Sequence, residues 1–131
     1  MREPLTSALT RAARAVTARV EQVLSPEGLT LDQWLVLVAL AGERGLTMSD
    51  LTARTTASGP TLTRVVDRLV ATAVVYREVD PEDRRRVRVY LSPRGRALHK
   101  RLATKVDDVE AELLGRSGAK VLDVLHRLGA E

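Results

Sequence analysis

Between Leu5 and Leu24 the apolar residues Leu5, Leu9, Ala12, Val16, Val20 and Val23 recur every three or four positions, which predicts an amphipathic helix with one buried stripe. Ser25, Pro26 and Gly28 break it, and a second helix is expected after Thr30, running through Trp34, Leu35, Leu37, Val38 and Leu40 and stopping at Gly42. Its denser apolar content predicts deeper burial. Thr47 followed three residues later by Asp50 reads as a capping-box-like start, because each side chain can take up an N–H left open in the first turn; a short helix from Met48 to Arg54 follows. Ser58 is placed to cap the next helix, with Gly59 and Pro60 in its first turn and an end near Thr72. In that helix Leu62, Val65, Val66 and Leu69 form the inward stripe, which leaves Thr61, Thr63, Arg64, Asp67 and Arg68 facing outward.

The period then changes. Val74 to Val79 is rich in β-branched residues, Asp80-Pro81-Glu82-Asp83 is a turn, and Arg86 to Leu91 alternates arginine or tyrosine with Val87, Val89 and Leu91, which together predict a two-stranded hairpin. Ser92 and Pro93 open a long helix with Leu98, Leu102, Val106, Val109 and Leu113 on one side, ended by Gly115, and Ser117 starts a last helix carrying Val121, Val124, Leu125 and Leu128. The fold class expected is mainly α with a small β-hairpin. No repeat, low-complexity segment or linker divides the chain, so residues 1–131 are expected to form one domain.

Composition narrows what such a chain does. A length of 131 residues suffices for one core, and 44% hydrophobic with 29% charged residues is ordinary globular usage. With no Phe, one Trp and two Tyr, the interior falls to Leu, Val and Ala. The absence of cysteine excludes disulfides, thiolate metal sites and thiol-based redox sensing. No apolar run approaches the roughly 18 to 20 residues of a membrane span, and Met1 to Thr10 lacks the apolar core of a signal peptide, so a cytoplasmic protein without a membrane partner is expected. His99 and His126 have no carboxylate at ligand spacing from both, the Ser and Thr at helix starts have no His nearby in sequence, and no phosphate-binding glycine loop is present. No metal, cofactor or catalytic residue is therefore expected.

Charge points to a partner. The net charge is +4, and the stretch from Arg77 to Arg101 holds nine Arg or Lys against four Asp or Glu, so one segment carries the whole excess. A helix, a turn, a second helix and a basic hairpin, in that order, suit duplex DNA, whose major groove admits a helix N-terminus. Ser58, Thr61 and Thr63 are short donors and acceptors at that end, Gly59 and Pro60 form its first turn with room for close approach, and Arg64 and Arg68 can bond phosphate or guanine. On the hairpin, Arg84, Arg85, Arg86 and Arg88 suit the negative potential of a minor groove, and Asp83 is placed to orient Arg85 by a bidentate pair. Plainer roles stay open at this point: Asp83 as a turn former, Ser58, Thr61 and Thr63 as a cap and two surface residues, Arg64 or Arg68 paired with Asp67, and Trp34 as core rather than a ligand platform.

From Leu31 to Leu98 the stretches LDQWLVLVAL, LTMSDLTARTTASGPTLTRVVDRLV and, above all, REVDPEDRRRVRVYLSPRG resemble the MarR family of bacterial winged helix-turn-helix regulators. The resemblance implies Arg85 as a minor-groove arginine with Asp83 as its orienting partner, and the helix after Ser58 as the recognition helix. It also implies a DNA-binding part over about residues 30–91 and a homodimer built by helices over about residues 5–24 and 93–130. A two-fold dimer calls for a palindromic operator with recognition helices roughly 34 Å apart. Further implications are repression of transcription and control by a small phenolic or lipophilic effector bound between the winged-helix part and the dimer helices, where Trp34 is a candidate. One departure stands out. Where the family commonly has Gly between recognition helix and wing, this chain has Ala73, so a left-handed cap there costs about 1 kcal/mol, and a differently built turn is the alternative. The rival readings are a winged-helix protein-interaction module that does not read DNA, and a small helical enzyme using Trp34 and the histidines.

Overall fold

The computed structural model describes residues 2–130. In chain order the elements are α1 (Leu5–Leu24), α2 (Leu31–Leu40), β1 (Leu46–Thr47), α3 (Met48–Arg54), α4 (Gly59–Ala71), β2 (Val75–Val79), β3 (Val87–Leu91), α5 (Pro93–Leu114) and α6 (Gly118–Gly129). Local chemistry sets the helix starts. Thr30 with Gln33, and Thr47 with Asp50, each form a reciprocal capping box, and the Ser92 hydroxyl accepts the Gly95 N–H at 2.9 Å.

The sheet has three antiparallel strands in the order β1-β3-β2, where the sequence predicts two. β1 pairs Leu46 with Val89 and Thr47 with Arg88. Two residues are too few to show the alternation that marks a strand, so only the tertiary fold reveals it. Thr47 thus ends a strand and caps a helix at once.

Buried side chains from α1 to α5 and from all three strands form one cluster, centred on Leu24, Leu37, Leu51, Leu62, Leu69 and Leu102. Val38 of α2, predicted to lie inside, is 46% exposed, and Val36 is buried in its place. Nearly every position of this ten-residue helix is apolar, so its pattern does not choose a face. The stripe of α1 is buried only at Val20, with Leu24 beyond it; Leu5, Leu9 and Val16 lie on the surface. α6 buries nothing and exposes Val121, Leu122, Val124, Leu125 and Leu128.

At the end of α4, Ala73 takes the left-handed conformation (φ 62°). The Val74 N–H bonds the Leu69 carbonyl at 2.9 Å and the Ala73 N–H bonds the Val70 carbonyl at 3.0 Å, the paired bonds of a Schellman turn. The glycine-type cap is therefore built with alanine, at a cost of about 1 kcal/mol. Directly behind it, Gly95 in the first turn of α5 brings its backbone against the residue that leads into β2: a Cβ there would lie 2.0 Å from the Val74 carbonyl oxygen. The Ser92 hydroxyl donates to the Ala73 carbonyl at 2.6 Å and fastens the same corner.

Candidate nucleic-acid interface

α3 and α4 form the helix-turn-helix, and α4 presents one polar face. Leu62, Val66 and Leu69 are buried, Thr61 and Val65 are half-buried, and Ser58, Gly59, Pro60, Thr63, Arg64 and Arg68 are exposed. Ser58 occupies the cap position, but its hydroxyl reaches Thr61 Oγ1 at 3.0 Å instead of a backbone N–H, so the expected side-chain cap is not formed. Thr63 bonds back to the Gly59 carbonyl at 3.1 Å. The space where a Gly59 Cβ would stand is open, so internal packing does not require glycine there. Asp67, a possible local partner of Arg64 or Arg68, pairs with Arg77 of β2 at 2.5 Å. Among the described residues Arg64 and Arg68 form no ion pair.

The hairpin tip is closed by backbone bonds from Asp80 N–H to the Arg86 carbonyl (2.8 Å) and from Arg86 N–H to the Asp83 carbonyl (3.0 Å). One Asp83 carboxylate oxygen accepts both the Arg85 backbone N–H (3.1 Å) and Arg85 Nε–H (3.2 Å). This replaces the bidentate pair predicted from sequence, and it leaves both terminal nitrogens of Arg85 open on a side chain that is 91% exposed. An exposed pair of this kind adds little stability; its effect is on orientation. Arg84 and Arg86 are exposed and form no ion pair among the described residues.

Arg88 behaves differently from its neighbours. Its Nε–H donates to the Asp80 carboxylate at 2.7 Å and its Nη1 lies 3.3 Å from the Gly45 carbonyl, with only 27% of the side chain exposed and Asp80 buried. The guanidinium counted among the hairpin's outward arginines is thus occupied as a brace between hairpin and the turn before β1. The N–H of Glu82, and then Arg88, hold the Asp80 carboxyl below the usual carboxylate range, and Asp80 in turn raises the guanidinium's value. Sequence reasoning missed Asp80, treating it as a turn residue. Register offered no help, because the residue directly opposite Arg88 in β2 is Glu78 and the bond runs diagonally past it.

Trp34 is buried and stacks on His99 of α5, with ring centroids 5.2 Å apart and planes at 15°. His126 lies exposed on α6. No single helix among the described residues is long and apolar enough to cross a membrane.

Comparison with known proteins agrees with this arrangement. A model described as MarR family matches residues 27–86, the stretch from just before α2 through the hairpin tip. The chain is 30% identical over 124 residues to the helix-turn-helix transcriptional regulator FarR of Neisseria gonorrhoeae, covering 92% of this chain and 85% of the relative. It is 26% identical over 128 residues to the homoprotocatechuate degradative operon repressor of Escherichia coli, covering 98% and 86%. Among solved structures it superposes on Bordetella bronchiseptica BpsR, a protein whose DNA binding is regulated by 6-hydroxynicotinic acid, with a TM-score of 0.85 at 27% identity, covering 98% of this chain and 94% of that one. On the helix-turn-helix, the braced hairpin and these matches together, the chain belongs to the MarR family of helix-turn-helix transcriptional regulators.

Proposed function

We propose that the protein is a sequence-specific double-stranded DNA-binding repressor that acts in the cytoplasm as a homodimer on a palindromic operator, and not as an enzyme. The single observation that carries this reading is Arg85, almost fully exposed at the hairpin tip with its Nε held by Asp83 and its two terminal nitrogens free. A guanidinium oriented before contact loses less entropy on entering a minor groove. α4 offers Ser58, Gly59, Pro60, Thr61, Thr63 and Arg64 from its first turns and Arg68 from its last turn to the major groove, with neither arginine paired among the described residues. Arg84 and Arg86 add phosphate contacts, and Arg88 holds the hairpin rather than the duplex.

The exposed apolar residues of α1 and α6 support a dimer through the segments over about 5–24 and 93–130, since a face of this kind on a lone domain calls for a partner. Control by a small effector is proposed from BpsR and its aromatic acid. The test is selection of bound fragments from the source genome, followed by titration of the recovered duplex against wild type and Arg85→Ala. Binding of the wild type to an inverted repeat, weakened roughly tenfold to a hundredfold in the variant, is expected. Equal, weak binding by both proteins would favour a winged-helix module that recognises protein.

A further inference from the structure

Adjacent major and minor grooves are divided by a single sugar–phosphate strand, so a helix in one and a hairpin tip in the other hold that strand between them. One face of the hairpin fronts this space. Alternation and register place Val75, Arg77 and Val79 of β2 on the same face as Leu91, Val89 and Val87 of β3, with Val79 directly opposite Val87. The face is turned towards α4: Val75, Val89 and Leu91 enter the core, and Arg77 reaches across to Asp67 of α4. The last pair continues it past the edge of the core. Val79 is 54% and Val87 46% exposed, and neither belongs to the buried cluster or packs against it. On the opposite face the side chains are already engaged, Tyr76 stacked on Tyr90 with centroids 5.2 Å apart and Arg88 braced by Asp80.

A lone exposed valine is ordinary, but here two are set face to face in the most basic part of the chain. They close the loop that carries Arg84, Arg85 and Arg86, and Arg64 and Arg68 stand on α4 without an ion pair among the described residues. Strand preference does not require valine at these positions, since threonine is equally branched at Cβ and is at ease in water. Two apolar side chains kept between groups of free guanidinia suit a partner that is anionic yet presents an apolar surface.

We propose that Val79 and Val87 form an apolar ledge that packs on the deoxyribose rings of the strand running between α4 and the hairpin. The sugar is the uncharged part of that strand, and its phosphates go to the arginines on either side. This contact rests on the DNA reading proposed above and adds to it a component that is blind both to base sequence and to salt.

Fluorescence anisotropy titration of the full chain against two duplexes, the inverted repeat recovered by selection and a random-sequence duplex of equal length, tests this with the double variant Val79→Thr/Val87→Thr. A hydroxyl replaces a methyl while shape and strand preference are kept, so the melting temperature should stay within about 2 degrees of wild type. Affinity should fall about tenfold for both duplexes, and about threefold for each single variant, with the slope of log affinity against log salt unchanged. The heat capacity change of binding should become less negative, because less apolar surface is covered. Binding within about twofold of wild type overturns the proposal. So does a shallower salt slope, which would mean displaced arginines, or a loss confined to the inverted repeat, which would mean a base contact. A loss of dimer mass in sedimentation overturns it too, because the pair would then meet a second copy of the chain. If wild type prefers neither duplex, sequence-specific reading fails while the random duplex still reports on the ledge; if wild type binds neither, both fall.

Discussion

The two elements proposed to meet DNA, α4 and the β2–β3 hairpin, are held in place by opposite means. α4 is set by its apolar stripe: Leu62, Val66 and Leu69 are almost wholly buried, each contributing on the order of 1.5–3 kcal/mol, and on its polar face Asp67 alone is tied, to Arg77 of β2, among the ionic side chains of the described residues. The hairpin enters the core only at its base, through Val75, Val89 and Leu91, while Val79 and Val87 near the tip are exposed. Beyond them its shape depends on charge, in the Asp80–Arg88 brace and the Asp83–Arg85 bond. The helix should therefore be nearly indifferent to salt and pH, and the hairpin tip responsive to both.

The strongest test of that contrast is Leu62→Ala, expected to destabilise the fold by about 2–5 kcal/mol in denaturant titration, against a change within about 0.5 kcal/mol for Arg85→Ala. Comparable losses in the two would erase the distinction. Next, Arg88→Gln should weaken duplex binding about tenfold by loosening the hairpin, while leaving the slope of log affinity against log salt as in the wild type. Arg85→Ala should make that slope shallower by about one unit if its guanidinium meets a phosphate-lined groove. A shallower slope in Arg88→Gln would mean that Arg88 leaves Asp80 to touch DNA.

A smaller effect is expected at the corner that joins the two elements. Ala73→Gly should raise stability by about 1 kcal/mol, because glycine adopts a positive φ without the alanine's steric cost. Thermal melting would detect a shift of a few degrees; a decrease would mean that the gain is outweighed by glycine's greater freedom in the unfolded chain. The gentlest probe is acid. Asp80, held low chiefly by the Glu82 N–H, and Asp50, held low chiefly by the Thr47 N–H, both contribute stability that is complete above the ordinary carboxylate range. That stability is lost as pH falls through their lowered values. Melting temperature should thus stay level from pH 7 to about 5 and drop below about 4, less steeply in Asp80→Asn than in wild type.

The parts of this arrangement that were legible in the sequence are those fixed within a few residues. Thr30, Thr47 and Ser92 start their helices because a hydroxyl finds an N–H three residues on, and Asp83 finds Arg85 for the same local reason. What distance along the chain conceals was missed. Alternation alone puts Arg86, Arg88 and Tyr90 on one face, and nothing in it says that Arg88 will turn to Asp80 and to a carbonyl 43 residues earlier. The choice of Arg77 by Asp67, ten residues away, and the stacking of Tyr76 on Tyr90 depend equally on how β2 lies against its neighbours. β1 shows the same limit in its simplest form, a strand too brief to carry a period.

Thr47 has a mechanical consequence. Its backbone is in register with Arg88 and its hydroxyl accepts the Asp50 N–H at 3.1 Å, so a single residue joins the start of α3 to the hairpin strand β3. α3 is in turn wedged beside α4 with Leu51 fully enclosed. Hairpin and α4 are thereby linked through one short relay, β3 to Thr47 to α3 to α4, rather than standing as separate attachments to the core.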